Sequence, residues 1–307
     1  MLTFNANNLD PQYTTSIALH FKARYQRSTL LPRDTYPTLL KFAMPEVDVS
    51  QLLASTLDSM NVFGNWNYRI GKDANGETKV DHGYGGIGLS YNPNMTNSSH
   101  VNIHQQVQGN DNPGARGLDG SNPFSRLSGH EGEAYSIKNS HYDTYGFCYR
   151  TPASKHTQLG EFLDTCKRTM VRSAVRIIYA DQDGQVGDNK LAGVRWHTDE
   201  PMFENLRINI PLLTDPIFVL EQEGLPAAHL ETGYAYSWDT GKLHCAYANM
   251  RPTEPKQRIH LMLGFSCWWD FNEETRNWSQ NEFFGKKHPL DMLADGDVIP
   301  GLKLQLT

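Results

Sequence analysis

Cysteine is scarce in this 307-residue sequence, with only Cys148, Cys166, Cys245 and Cys267. None forms a C-x-x-C pair, which argues against a disulfide scaffold and a cysteine-built structural zinc site. No apolar run nears the ~18 residues that a membrane-spanning helix needs, and mean hydropathy is −0.56. Lysine and arginine are not clustered and the net charge is −6, so nucleic acid is not expected as a partner. The opening residues MLTFNANNLDPQY lack the basic start and apolar centre of a secretory signal, and the expectation is a cytoplasmic protein with no membrane association. Without such a signal the glycosylation triplets at Asn94, Asn97 and Asn277 carry little meaning. No internal repeat is evident, and nothing in the sequence speaks to oligomeric state.

What is present divides the chain unevenly. The length suits one large domain or two small ones. Residues 1–150 read as an N-terminal extension with a lid and substrate-specificity region, and residues 151–307 as the catalytic core, the two integrated into one domain. Weak strand signals lie between Thr15 and Leu31. A helix is predicted from Asp48 to Met60, capped by Asp48 or Ser50, with Val49, Leu52, Leu53 and Leu57 on one face. Asp73–Gly76 reads as a turn. Gly83-Tyr-Gly-Gly-Ile-Gly88 matches G-x-G-x-x-G, but the preceding strand and following helix of a dinucleotide site are missing, so it reads as a plain glycine-rich loop. From Gln105 to Glu133, glycine, asparagine, aspartate, proline and serine dominate, which predicts a long loop or lid. A second helix is expected over His156–Met170, packing beneath a sheet that starts at Val171.

From Val171 onward the pattern is β throughout. Alternating runs at 171–180, 193–199, 206–213, 217–222, 228–231, 234–238, 243–248 and 258–265 predict eight short strands, the signature of a jelly roll or barrel. His197 and Asp199 sit two apart in one run and so share a face. His244 follows 45 residues after Asp199, and Arg258 comes 14 later. Two imidazoles and a carboxylate on neighbouring strands make the three-ligand face suited to Fe(II), leaving coordination positions for a co-substrate and O2. The same trio could hold Zn(II) with a water in the fourth position. On the last strand Arg258, His260 and Met262 alternate to one face, and an inward guanidinium demands an anionic partner. Arg207 and Asn209 likewise share a face on the strand that opens at Leu206. A competing triplet, His141-Tyr-Asp143, could instead pair with His197 as distal ligand and Arg207 as anchor. It would place a helix where the barrel needs consecutive strands, and it would leave the regular 206–265 region outside the core.

At WHTDEP, LRINIPLL, WDTGKLHCAYAN and RIHLMLGF, within Val171–Trp269, the chain resembles the Fe(II)/2-oxoglutarate-dependent oxygenases. More narrowly, it is similar to the aspartyl/asparaginyl β-hydroxylase and bacterial cis-proline hydroxylase branch. The resemblance implies a mainly β fold, a double-stranded β-helix (jelly roll, cupin-like) with flanking helices and an N-terminal extension. It implies His197, Asp199 and His244 as metal ligands and catalytic centre, with Fe(II), 2-oxoglutarate and O2 as cofactor and co-substrates. It further implies Arg258 as the clasp of the distal 2-oxoglutarate carboxylate, with Arg207 and Asn209 holding the co-substrate near the metal. Asn209 stands where the branch has histidine, and 251–257 looks like an enlarged hairpin loop that lengthens the His244–Arg258 gap. Asp199 is kept as in the bacterial proline hydroxylases, which favours a small molecule or peptide as substrate. It also occupies the position that halogenases of the superfamily leave to chloride, so hydroxylation is expected. Trp196, Tyr234, Tyr236 and Trp238 read as core aromatics rather than a substrate cage, and Cys245, next to a ligand, should face away and has no chemical role. The rival class is a metal-binding jelly roll without turnover, or a Zn(II) hydrolase.

Overall fold

The computed structural model describes residues 3–5, 29, 39–64, 66–67, 84–93, 145–180, 191–197, 199–200 and 202–305; for His197 it describes the backbone course alone. The expected strands at Thr15–Leu31, the turn at 73–76, the lid at 105–133 and the His141–Asp143 triplet lie outside these residues.

Thirteen strands and three helices matter here. They are β1 (Leu40–Ala43), α1 (Val49–Phe63), β2 (Tyr84–Gly88), α2 (Thr157–Asp164), β3 (Ala174–Ala180), β4 (Leu191–His197), β5 (Leu206–Leu213), β6 (Phe218–Gln222), β7 (Ala228–His229), β8 (Tyr234–Ser237), β9 (His244–Ala248), β10 (Lys256–Ser266), β11 (Trp269–Asn272), β12 (Asn277–Gln280), α3 (Pro289–Ala294) and β13 (Lys303–Gln305). Among the described residues, β13-β1-β8-β5-β10-β3-β2 form the body of a nine-stranded sheet, and β7-β6-β9-β4 form a four-stranded one. From β3 to β6 and again from β7 to β10, each successive strand crosses to the other sheet; only β6 and β7 stay together as a hairpin. That winding is a double-stranded β-helix, and its eight strands are the eight read from the alternation. Strands from before residue 150 extend it, since β1 pairs with β8 and β2 with β3.

The period of two in the sequence becomes two different faces of the large sheet. Val175, Ile177, Ile208, Ile210, Ile259, Leu261 and Leu263 pack outward against Leu52 of α1 and Leu159 and Leu163 of α2. Each such side chain contributes about 1.5–3 kcal/mol through burial. The intervening residues face the small sheet. There, Ile178 and Ala180 meet Ile217, Phe218 and Ala248, and Tyr236 meets Leu220, Leu230 and Trp238. Between these apolar ends the inward positions are polar: Arg176, Arg207, Asn209, Arg258 and His260 are all buried. Burying polar groups of this kind costs stability unless each is hydrogen-bonded or paired.

Four local expectations change. α1 is capped by Asp48, whose Oδ1 accepts the N–H groups of Ser50 at 3.0 Å and Gln51 at 3.1 Å. Its buried face is centred on Leu52, Thr56 and Met60, and Leu57 is exposed. The reason is α2: Ser55 Oγ accepts the Leu159 N–H at 2.8 Å, so small polar residues of α1 turn toward it. The second helix stops at Asp164 rather than Met170, because Lys167 N–H donates to Val298 O at 2.9 Å and Met170 pairs with Phe265 of β10. The glycine-rich stretch is not a loop but β2. A Cβ on Gly86 would lie 2.0 Å from Val175 O, so glycine is what lets β2 pair with β3. Residues 251–257 are not a hairpin loop: 249–255 carry the chain from β9 in the small sheet to β10 in the large one, and 256–257 open β10.

α3 carries a pH-dependent cap. His288 is fully buried, and its Nδ1 accepts the Leu290 N–H at 3.1 Å, which only a neutral imidazole can do. Burial pushes its pKa down from 6.5 to about 4, against a small opposite pull from Asp291. The unfolded chain therefore binds this proton at a higher pH than the folded one. The stabilisation is complete above the unfolded value and is lost as pH falls from 6.5 through about 4, by up to about 3 kcal/mol. His288→Asn, which caps without titrating, is expected to lose less stability than the parent between pH 7 and pH 4.5 in urea unfolding. An equal loss would exclude His288 as a source of acid sensitivity.

Candidate active site

Two strands of the small sheet bring the proposed ligands together. β9 pairs antiparallel with β4 so that His244 stands directly across from His197, with a bulge just after His244. Asp199 lies two residues past His197, and its N–H donates to Thr240 O at 2.8 Å. Thr240 is held in a turn in which the Gly241 N–H donates to Asp239 Oδ1 at 2.9 Å, and Gln222 Nε2 donates to Asp239 O at 3.2 Å. Burial raises the Asp239 carboxyl above the usual range, partly offset by that turn bond.

His244 is buried, and its Nδ1 lies 2.8 Å from Lys242 O. A carbonyl can only accept, so Nδ1 carries the proton and Nε2 presents its lone pair. Nε2 is 3.9 Å from Asp199 Oδ2. That is too long for a hydrogen bond and longer than the roughly 3 Å between adjacent ligands of one cation about 2.0–2.2 Å from each, so the two would draw slightly together to share one. Backbone-fixed imidazole tautomers of this kind are what metal sites use. Among the described residues these two side chains form a pair rather than a trio; of His197, the third expected ligand, the register across from His244 is what is described. Trp238 packs edge-on to His244 at 5.9 Å and closes the apolar side.

On the facing sheet, Arg258 is buried, at 7% exposure. Its Nε lies 2.7 Å from His260 Nε2 and its Nη2 2.8 Å from His260 Nδ1. Burial first, then the guanidinium and His229, holds the His260 ring well below the ordinary imidazole range, so it stays neutral beside the arginine. His229 is oriented by its Nδ1 on Phe218 O at 3.0 Å. Arg176 stands next to His260 in register on β3. Asn209 is buried between Met262 and Tyr236 on the same inward face.

Arg207 is bonded within the protein. Its Nη2 donates to Glu200 Oε2 at 3.2 Å and its Nη1 to Arg172 O at 2.6 Å. Glu200 also pairs with Arg172 and accepts Asn205 Nδ2 at 3.1 Å. Nothing in the spacing announced this cluster, because Arg172 is 28 residues from Glu200. Of the aromatics, Tyr236 and Trp238 are core, Tyr234 is partly buried under Lys41 at 3.8 Å, and Trp196 is 41% exposed. Trp196 is thus not a core residue; among the described residues, β4 is the last strand of the small sheet. Cys245 is fully buried.

No family model matches the chain, and no curated protein does. Among solved structures it is similar to the non-heme alpha ketoglutarate dependent epimerase SnoN from nogalamycin biosynthesis at 10% identity and TM-score 0.32, covering 83% of this chain and 84% of that one. It is similar to the carbocyclase SnoK from the same biosynthesis at 10% identity and TM-score 0.34, covering 99% of each. AviO1 from Streptomyces viridochromogenes Tue57 is similar at 11% identity and TM-score 0.32, over 84% of this chain and 95% of that one. At these levels of likeness, what the chain does is read from its own residues.

Proposed function

We propose that this chain is an Fe(II)- and 2-oxoglutarate-dependent oxygenase that hydroxylates an amino acid or a residue in a peptide. The observation that carries this reading is the facing of two sheets. On one, the Asp199 carboxylate and the backbone-fixed His244 Nε2 stand 3.9 Å apart, with His197 across the strand pair. On the other, a buried guanidinium, Arg258, lies in the same interior beside a neutral imidazole.

The donor set fits the metal. One carboxylate oxygen and imidazole nitrogen suit Fe(II), and His197 would complete a three-ligand face. With 2-oxoglutarate and O2, bound Fe(II) would supply the oxidising power for hydroxylating a C–H bond, the co-substrate leaving as succinate and CO2. The protein's part is positional. The bond from His244 Nδ1 to Lys242 O fixes the ring with Nε2 toward the site, and Trp238 packs against it. Arg258 offers a planar pair of donors that matches a carboxylate, and burial makes that grip strong. Arg176, Asn209 and His260 line the same inward face, where they would orient the co-substrate or the substrate.

A Zn(II) hydrolase or a non-catalytic metal-binding protein would give Arg258 no co-substrate carboxylate to grip. The likeness to proline hydroxylases favours a small substrate over a folded protein. The test is succinate release from 2-oxoglutarate under Fe(II) and ascorbate, across a panel of amino acids and peptides, with product mass recorded in excess chloride. Substrate-stimulated succinate with a 16-dalton gain is expected; Zn(II)-supported hydrolysis without succinate would replace the reading, and a chlorinated product would overturn hydroxylation.

A further inference from the structure

Glu200 directly follows the proposed ligand Asp199, yet it points into a different environment. It is 1% exposed and meets two arginines that are themselves buried, Arg172 at 3% and Arg207 at 2%. Asn205, fully buried, donates to the same carboxylate. The cluster is tied to the backbone at several points. Arg207 Nη1 donates to Arg172 O at 2.6 Å, and Arg172 N–H donates to Phe147 O at 3.1 Å. Arg172 sits in the left-handed region at φ 43°, a conformation that non-glycine residues keep only when their surroundings hold them there. Gly264 makes room: a Cβ there would lie 2.3 Å from both Asn205 Oδ1 and Val171 O.

The same two residues, Asp199 and Glu200, are also stitched to the turn that leads into β9. Asp199 N–H donates to Thr240 O at 2.8 Å, and Thr240 Oγ1 donates to Glu200 O at 2.8 Å. Thr240 is 1% exposed and lies four residues before His244. One short segment therefore links the large sheet, the carboxylate arm and the imidazole arm.

Buried ion clusters contribute little net stability compared with well-packed apolar residues, and their better-attested use is to select one geometry. We propose that Arg172, Glu200 and Arg207 form a positioning device that, through the Thr240 bonds, holds Asp199 facing His244 so that one divalent cation can draw on both. Arg207 is on this account a strut of the metal site rather than a clasp for the co-substrate. The inference rests on the metal reading above.

The experiment titrates Co(II) and Mn(II) into the full-length metal-free chain without co-substrate, recording affinity and the Co(II) ligand-field bands. Near-UV circular dichroism confirms folding. Glu200→Gln is expected to bind about 10- to 100-fold more weakly, as loss of groups that orient ligands does, with shifted Co(II) bands. Thr240→Val, which keeps the charge cluster and volume but removes the hydroxyl, is expected to move in the same direction, and Thr240→Ser to bind as the parent does. A merely structural role would leave affinity and bands unchanged in folded protein, and that result would overturn the inference. If Glu200→Gln does not fold, the contrast between Thr240→Val and Thr240→Ser decides. Parent-like variants beside a parent that binds metal and a His244→Ala that does not would sink this inference alone. No binding by the parent would sink the metal reading and this inference with it.

Discussion

His244→Ala is expected to abolish Fe(II)-dependent 2-oxoglutarate turnover, while His141→Ala leaves most of it. Groups that only orient ligands are worth about 10–100-fold in metal affinity, so removing a direct ligand should exceed about 100-fold. His244 has the attributes of a ligand: it is buried, its tautomer is set by Lys242 O, and its Nε2 faces a carboxylate at 3.9 Å. The rival assignment needs several barrel strands between Asp143 and His197. Among the described residues, that interval holds α2, β3 and β4, plus short turns and two two-residue strands, whereas Leu206–Ser266 supplies six consecutive strands of the double-stranded β-helix. The measurement is turnover together with metal affinity in both variants, with folding verified. Loss of turnover in His141→Ala and its retention in His244→Ala would move the site upstream.

Arg258→Met is expected to raise the dissociation constant for 2-oxoglutarate roughly 30-fold to several thousand-fold, leaving metal affinity nearly unchanged. Removing one partner of a buried, charge-assisted bidentate pair costs about 2–5 kcal/mol. Arg258→Lys should fall between, since a point charge remains but the planar fork is lost. Arg207→Met supplies the contrast. Its guanidinium is engaged by Glu200 and Arg172 O, so its loss should lower stability and metal affinity before it touches co-substrate binding. Calorimetric titration of 2-oxoglutarate into the metal-loaded variants separates the two. Unchanged co-substrate affinity in Arg258→Met with a large loss in Arg207→Met would exchange their roles.

Arg207 also shows where the sequence stopped being legible. Alternation placed Arg207 and Asn209 on one face of β5, and both are buried there. What Arg207 touches was beyond alternation, because its partners come from residues 172 and 200, on other segments. The same limit explains α2. The apolar spacing of Leu159, Phe162, Leu163, Cys166 and Met170 suits a helix throughout, but pairing of Met170 with Phe265 takes the last residues away from it. In β2 the glycines lowered the strand signal, yet the absent Cβ at Gly86 is the condition for pairing with Val175 and its neighbours.

By itself the sequence determined the number and order of the eight barrel strands and which residues alternate to which face. It determined the order of His197, Asp199, His244 and Arg258 along them. These follow from the two-residue period of a strand and from turn residues, both local properties of the chain. Only the tertiary structure decided that successive strands cross between two sheets, that residues 249–255 are a crossover, and that His244 lies across from His197. It alone decided that Glu200 is buried between two arginines behind Asp199. Those outcomes depend on which distant strand supplies a backbone partner and which distant charge is near enough to compensate a buried one.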